Sequence, residues 1–132
     1  MKSFFLIISA LLFTQPSDEW KTIHTDRLYS VSGIAPFKDG YLVVHDNKKK
    51  GQPRISYIDR ELKIHPVAWP ARKLPYDLEA IIMLPGNENR FILMESTGIC
   101  YELDIDSTSL QTDLIHSFTL KKDSHVKGME LV

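Results

Sequence analysis

The sequence is almost free of cysteine, and this limits what can stabilise the fold. Cys100 is the only cysteine among 132 residues, so the chain can form neither an intrachain disulfide nor a cysteine-based zinc cluster. The small disulfide-stapled scaffolds that are common among exported proteins are therefore excluded. Cys100 lies in the strand-like stretch TGICYELD, where we expect a small buried hydrophobe rather than a nucleophile.

The sequence also lacks an excess of charge of either sign. It has 16 Lys and Arg against 17 Asp and Glu, for a formal net charge of −1. This balance argues against a nucleic-acid-binding protein, which would show a basic stripe, and against an acidic disordered tail. Hydrophobic residues make up 43% of the chain, which is enough for the core of one domain.

A hydrophobic run long enough to span a membrane is missing as well. The N-terminal run Phe4–Phe13 has ten uncharged residues, whereas a membrane-spanning helix needs about 20. Lys2 precedes this run and residues 14–17 break it, which is typical of a secretory signal peptide at residues 1–17, cleaved between Ala10 and Ser17. A buried N-terminal helix or strand is the alternative. We therefore predict a secreted or periplasmic protein without a membrane span.

Helical periodicity and the familiar catalytic motifs are absent too. The sequence contains no nucleophile elbow, P-loop or dinucleotide fingerprint, and its five histidines show no metal-ligand spacing. The apolar residues instead alternate or form strand-length runs rich in Val, Ile, Tyr and Phe. This pattern predicts an all-β fold.

One plan of strands and turns occurs twice. SGIAPFKDGYLVVHDN (residues 32–47) and LEAIIMLPGNENRFILMEST (residues 78–97) each contain an apolar strand, a polar turn and a second strand that ends near an acidic residue. The strands that continue the plan are RISYID (54–59) and LKIHPVAW (62–69) in the first copy, and ICYELD (99–104) and LQTDLIHSFTL (110–120) in the second. VKGMELV (126–132) resembles a further first strand, and aligning Gly33, Ala80 and Gly128 gives spacings of 47 and 48 residues.

Four short strands that repeat every 40 to 50 residues or so are typical of β-propeller blades. We predict a partial β-propeller over residues 20–132, with about two four-stranded antiparallel blades and the first strand of a third. A β-sandwich is the alternative. Because propellers close with about four to eight blades, we expect the N-terminal part of a longer propeller whose remaining blades are missing. Trp20–Asp26 would be an outer strand of the last, missing blade.

Acidic residues fall where these strands begin or end. Glu79 lies at the entrance of a predicted innermost strand, where it would face the central channel. Asp46 and Glu95 follow or end the second strands, in places that we take as matching. Carboxylate oxygens suit Ca²⁺ or Mg²⁺; the alternative is that these acids accept hydrogen bonds from neighbouring loops. His45, beside Asp46, is placed where general acid–base catalysis would be useful.

The only run of like charge lies between the second and third strands. Lys48, Lys49 and Lys50 are followed by Arg54. A solvated hairpin is the ordinary interpretation of such a run. The sharper hypothesis is contact with a phosphate or an acidic substrate, which Lys and the forked guanidinium of Arg both suit.

These stretches resemble the exported bacterial β-propellers called phytase-like, or "esterase-like activity of phytase", proteins. Members of that family have a Ser-Gly-(Ile/Leu)-Ala strand, an acidic pair after the next strand, an Asp-x-Glu-Gly-Ile strand and a later acidic strand end. The matching residues are Ser32, Gly33, Ile34, Ala35, Asp46, Asp77, Glu79, Ile81 and Glu95. Two positions depart from the pattern, since Asn47 replaces the second Asp of the pair and Ala80 replaces Gly.

The resemblance implies phosphoester or ester hydrolysis assisted by Ca²⁺. Asp46, Glu79 and Glu95 would hold the metal, and Lys48–Lys50 with Arg54 would attract an anionic small-molecule substrate. A non-catalytic module that binds a ligand, glycan or protein is the second hypothesis, because a fold does not fix a reaction. We do not expect this chain alone to be an active enzyme, since most of the ring of site residues would be absent.

Overall fold

The computed structural model describes residues 20–120. The regular structure of this range consists of eight strands and one short 3-10 helix, Arg27–Tyr29. None of the described residues forms a helix of the length and apolarity needed to cross a membrane. The all-β prediction is thus confirmed, whereas the predicted signal peptide at residues 1–17 and the predicted strand at residues 126–132 lie outside the described residues.

The strands form two separate antiparallel sheets, each with four strands in chain order. The first sheet contains β1 (Gly33–Phe37), β2 (Gly40–Val44), β3 (Ile55–Ile58) and β4 (Ile64–Val67), and the second contains β5 (Leu78–Met83), β6 (Arg90–Glu95), β7 (Ile99–Ile105) and β8 (Thr112–Thr119). All eight overlap the strands that the repeat predicts. Residues 20–26, predicted as a further strand, form none, and they pair with none of the eight strands.

One hydrophobic core lies between the two sheets. The first sheet contributes Ala35, Phe37 and Leu42, and the second contributes Phe91 and Leu93, among other residues. The rings of Phe37 and Phe91 meet edge to face with their centroids 5.6 Å apart. Burying a large apolar side chain stabilises a fold by about 1.5–3 kcal/mol, so this shared core holds the sheets against each other.

The first strands of the two sheets, β1 and β5, lie close together at Gly33. A β-carbon added there would lie 2.9 Å from Val44 Cγ2 and 3.0 Å from both Ala80 Cα and Ile81 N. Just before β1, the hydroxyl of Ser32 donates a hydrogen bond to the Leu78 carbonyl oxygen at 2.5 Å. The entrances of the two first strands therefore lie side by side.

The pairing register defines which residues of the two sheets are equivalent. Equivalent pairs are Gly33 and Ala80, Ile34 and Ile81, Val44 and Met94, and Ile55 and Cys100. One step beyond β2, His45 is then the equivalent of Glu95, and Asp46 that of Ser96. The predicted match between Asp46 and Glu95 is therefore wrong by one residue. Different lengths of the connections on either side of the strands hide this offset in the sequence.

The single thiol is packed inside the second sheet. Cys100 is 3% exposed, and burial raises the pKa of its thiol. A buried thiol with a raised pKa is a poor nucleophile, so the expectation of a small buried hydrophobe is confirmed for its position.

Candidate functional site

His45 is a buried polar residue at the end of β2. Both ring nitrogens form hydrogen bonds: Nδ1 lies 2.9 Å from the Ser30 carbonyl oxygen, and Nε2 lies 2.9 Å from Ser56 Oγ. Because a carbonyl only accepts, Nδ1 carries the proton and Nε2 accepts from the Ser56 hydroxyl. Burial lowers the pKa of His45, against the smaller opposite effect of the Ser30 hydrogen bond. Both nitrogens are engaged by the fold, so His45 has none free for the predicted acid–base role.

Glu95 is its equivalent at the end of β6 and is 4% exposed. Its carboxylate accepts hydrogen bonds from the Tyr76 N–H at 2.8 Å, the Tyr101 hydroxyl at 2.6 Å and the Thr97 hydroxyl at 2.9 Å. Burial acts to raise the pKa of Glu95, but these three hydrogen bonds outweigh it and the pKa is lowered. Glu95, predicted as a metal ligand, thus has both oxygens occupied by protein donors.

The two arrangements have the same plan, and we call them the polar clamps. Each joins the end of a second strand to a hydroxyl on the third strand, from Ser56 or Tyr101. Each also bonds to the backbone that leads into the first strand, at Ser30 or Tyr76. No charge is left unpaired, because the first clamp is neutral and the second surrounds its carboxylate with donors. The polar clamps fix the end of each sheet where the loops meet.

A contact between a serine and an aspartate also occurs in both sheets, beside the clamps. The two residue types occupy opposite positions in the two copies. In the first sheet, Ser30 Oγ lies 3.4 Å from Asp46 Oδ1. In the second sheet, the equivalent residues are Asp77 and Ser96, and Ser96 Oγ donates to Asp77 Oδ2 at 3.0 Å. The contact at Asp46 is long, so the carboxylate of Asp46 is only weakly engaged.

Lys48 connects the loop between β2 and β3 to the linker between the sheets. Its Nζ lies 3.1 Å from Asp77 Oδ2 and 5.3 Å from the centre of the Tyr76 ring. The hydrogen bond with Asp77 raises the pKa of Lys48. Because the Lys48 side chain is 48% exposed, this contact orients the loop and leaves the cation accessible.

Arg54, predicted to attract substrate, is buried instead. Its guanidinium donates to the carbonyl oxygens of Lys49 (3.1 Å), Gln52 (2.9 Å) and Pro75 (2.9 Å). Burial lowers the pKa of Arg54, and none of the carboxylates in residues 20–120 forms an ion pair with it. The sequence marked Arg54 as the end of a basic run, whereas the structure uses it to shape the loop.

A basic cavity of about 210 Å³ opens beside this loop. Its lining residues are Arg27, Asp46, Asn47, Lys48, Lys49 and Gln52. The buried Asn47 donates from Nδ2 to the carbonyl oxygens of Leu28 (2.8 Å) and Pro53 (2.7 Å), which fixes the 3-10 turn against the loop. The run of lysines indicated this region; the contribution of Arg27, which lies before β1, gave no signal in the sequence.

The three predicted metal ligands lie in different settings. Asp46 lines the basic cavity, Glu79 is exposed and Glu95 belongs to a polar clamp. Glu79 occupies a β-bulge between Leu78 and Ala80 and lies outside the core. Among residues 20–120, no three His, Cys, Asp or Glu side chains converge on a common point. Since Ca²⁺ takes six to eight oxygens, these residues alone do not form a calcium site.

The chain matches no protein-family model, no curated protein and no solved structure.

Proposed function

We propose that the two sheets are successive blades of an exported β-propeller of the phytase-like kind. Three observations support this: the strand order is repeated, the first strands β1 and β5 are adjacent, and the polar clamps recur at equivalent positions. Propellers place such first strands around a central channel. The apolar segment Phe4–Phe13 after Lys2 supports export to the periplasm or the medium.

We propose further that this protein binds an anionic small molecule in the basic cavity. The observation that carries the proposal is the grouping of Arg27, Lys48 and Lys49 around one cavity. Guanidinium and ammonium groups are the usual ligands of phosphate and carboxylate. Two carboxylates oppose these three cations, Asp46 in the lining and Asp77 paired with Lys48, so a positive charge remains in excess.

The walls of the cavity are held rigidly, as a binding site requires. Arg54 and Asn47 are both buried and bonded to carbonyls of the loop, and Lys48 is oriented by Asp77. The cations therefore sit on a preorganised loop, which lowers the entropic cost of binding an anion.

Hydrolysis of a phosphoester or ester is the second candidate function. It is favoured by Asp46, a weakly engaged carboxylate that shares the cavity with the three cations. The residues described here do not complete a metal site, so a binding module has the stronger support.

Calorimetric titration with inorganic phosphate tests the binding proposal. We expect saturable binding that weakens at high salt and at least tenfold in Lys49→Ala and Arg27→Ala, a change of about 1.4 kcal/mol. Lys50→Ala and Arg60→Ala are matched controls, since neither residue lines the cavity. Equal binding by all four variants, or no binding by the wild type, would reject the proposal.

Release of nitrophenol from its phosphate ester, with and without millimolar Ca²⁺, tests the second candidate. Turnover that is lost in Asp46→Asn would favour hydrolysis. Phosphate binding without turnover would leave the binding module as the function.

A further inference from the structure

Each sheet has a second face that points away from the shared core. Ile34 on β1 is 57% exposed and Ile82 on β5 is 56% exposed. Successive side chains on a strand point to opposite faces, and the neighbours Ala35 and Ile81 are buried in the core. Both outward faces therefore carry a large apolar side chain on their first strand.

The outward face of the second sheet repeats the core-facing side of the first. By register, Ala35, Leu42 and Val44 correspond to Ile82, Ile92 and Met94. The first three are buried against the second sheet, while Ile82 is exposed and Ile92 and Met94 are half-buried. Ala80, the equivalent of Gly33, is likewise small enough for a neighbouring strand to come near.

The outward face of the first sheet repeats the core-facing side of the second. Ile34 corresponds to Ile81, Val43 to Leu93, and His45 with Ser56 to Glu95 with Tyr101. Ile81 is 5% exposed because it packs against the first sheet. Its equivalent Ile34 is 57% exposed, whereas Val43 on the same face is buried and lines a cavity with Ile23 and Val31, which precede β1.

We infer that copies of this chain associate head to tail, with the first sheet of one copy packed on the second sheet of the next. The contact would repeat the packing of β5 against β1 within the chain, since the two outward faces carry the same pattern as the two inward faces. Such a contact is heterologous and closes into a ring if the rotation allows.

This inference depends on the proposed blade arrangement and is independent of the anionic ligand. Ile34 and Ile82 would be central to the contact and would lose their exposure to water. A charge at either position would be buried without a partner, which strongly disfavours association.

The test is the molar mass of the purified full chain, measured by light scattering after size-exclusion chromatography. We expect the wild type to associate, and we expect Ile34→Glu and Ile82→Glu each to be monomeric. Because each variant retains one intact face, mixing the two should give a dimer with one copy of each. Leu62→Glu is the matched control, since Leu62 is also exposed but lies in a turn between β3 and β4.

A monomeric wild type, association that survives both substitutions, or a mixture that stays monomeric would overturn the inference. Circular dichroism of each variant checks that the sheets are intact. Phosphate titration separates this inference from the proposed function. Monomeric variants that still bind phosphate support both, whereas a wild type that associates without binding phosphate contradicts only the ligand proposal.

Discussion

The two polar clamps solve one structural problem with different chemistry. At the end of β2, a neutral imidazole bridges a carbonyl and a hydroxyl; at the end of β6, a carboxylate gathers an N–H and two hydroxyls. The backbone group that leads into each first strand is an acceptor at Ser30 and a donor at Tyr76. His45 supplies a donor to the first and Glu95 an acceptor to the second, so the side chain complements the backbone.

The two copies of the repeat thus share the positions of the clamp and not its residue types. The exchange of Ser and Asp between Ser30–Asp46 and Asp77–Ser96 makes the same point. The clamps should still differ in strength, because hydrogen bonds to an ionised group are worth about twice those between neutral groups.

The largest effect is expected from Glu95→Ala. The substitution leaves the Tyr101 hydroxyl and the Tyr76 N–H without their acceptor, and each buried unsatisfied group costs about 1–3 kcal/mol. We expect a loss of about 3 kcal/mol in the free energy of unfolding, measured by urea denaturation. Glu88→Ala, at an exposed turn position, is the control. A loss no greater than that of Glu88→Ala would show that the second clamp does not stabilise the sheet.

The next largest loss of stability is expected from Gly33→Ala. The added methyl would lie within 3.0 Å of backbone atoms of β5, and overpacking of this kind costs about 1–3 kcal/mol. The reverse change at the equivalent position, Ala80→Gly, should cost only about 0.5–1 kcal/mol, the ordinary penalty of Gly in a strand. Calorimetric melting of both variants measures the difference. Equal losses would mean that the two equivalent positions have equally close neighbours.

The first clamp predicts a distinct pH dependence. The pKa of His45 is lowered in the folded protein from its ordinary 6.5, so the unfolded chain binds a proton first and stability falls as the pH drops below about 6.5. Glu95, whose pKa is lowered from 4.5, contributes stability above that value and loses it as the pH falls through its folded pKa.

The substitution His45→Gln separates the contribution of His45 to the pH dependence of stability from that of Glu95. We expect it to cost about 1 kcal/mol at pH 7.5, one net hydrogen bond, and to remove the loss of stability that begins near pH 6.5. The loss of stability at lower pH that is due to Glu95 should remain. Urea midpoints measured between pH 4 and pH 8 provide the test, and a wild-type curve that is flat through pH 6 would contradict the assignment of a neutral imidazole.

The smallest effect is expected when Ser30 and Asp46 exchange their residue types. Ser30→Asp combined with Asp46→Ser gives the first sheet the pattern of the second. Ser30 is exposed and its contact with Asp46 is long, so the free energy of unfolding should change by no more than about 0.5 kcal/mol. A loss above 1 kcal/mol in urea denaturation would show that the two positions are not interchangeable.

The strands were predictable because each leaves a period-two or short apolar pattern in its own segment. All eight were found in this way, together with the equivalence of Gly33 and Ala80. The clamps were not, because their partners are brought together by pairing: Ser56 is 11 residues from His45, and Tyr76 is 19 residues from Glu95. The long loop between β2 and β3 and the short turn between β6 and β7 also made Asp46, instead of His45, look equivalent to Glu95.

The roles of the charged residues were harder still to predict. Lys48, Lys49 and Arg54 look alike as a basic run, yet only the first two line the basic cavity. The burial of Arg54 depends on a carbonyl of its own loop, at Gln52, and on one of the linker into β5, at Pro75. Sequence patterns report charge and spacing, whereas the groups that surround a charge are decided by the path of the loop.

Arg54 couples the local unfolding of two segments. Its single guanidinium holds the loop after β2 through Lys49 and Gln52, and the linker into β5 through Pro75. Opening the loop alone, or releasing the linker alone, would leave a buried cation with only part of its acceptors, so the two motions are coupled. Amide hydrogens in the two segments should therefore exchange with deuterium as one unit, with a common opening free energy. The two sheets would then unfold together, although no strand hydrogen bond joins them.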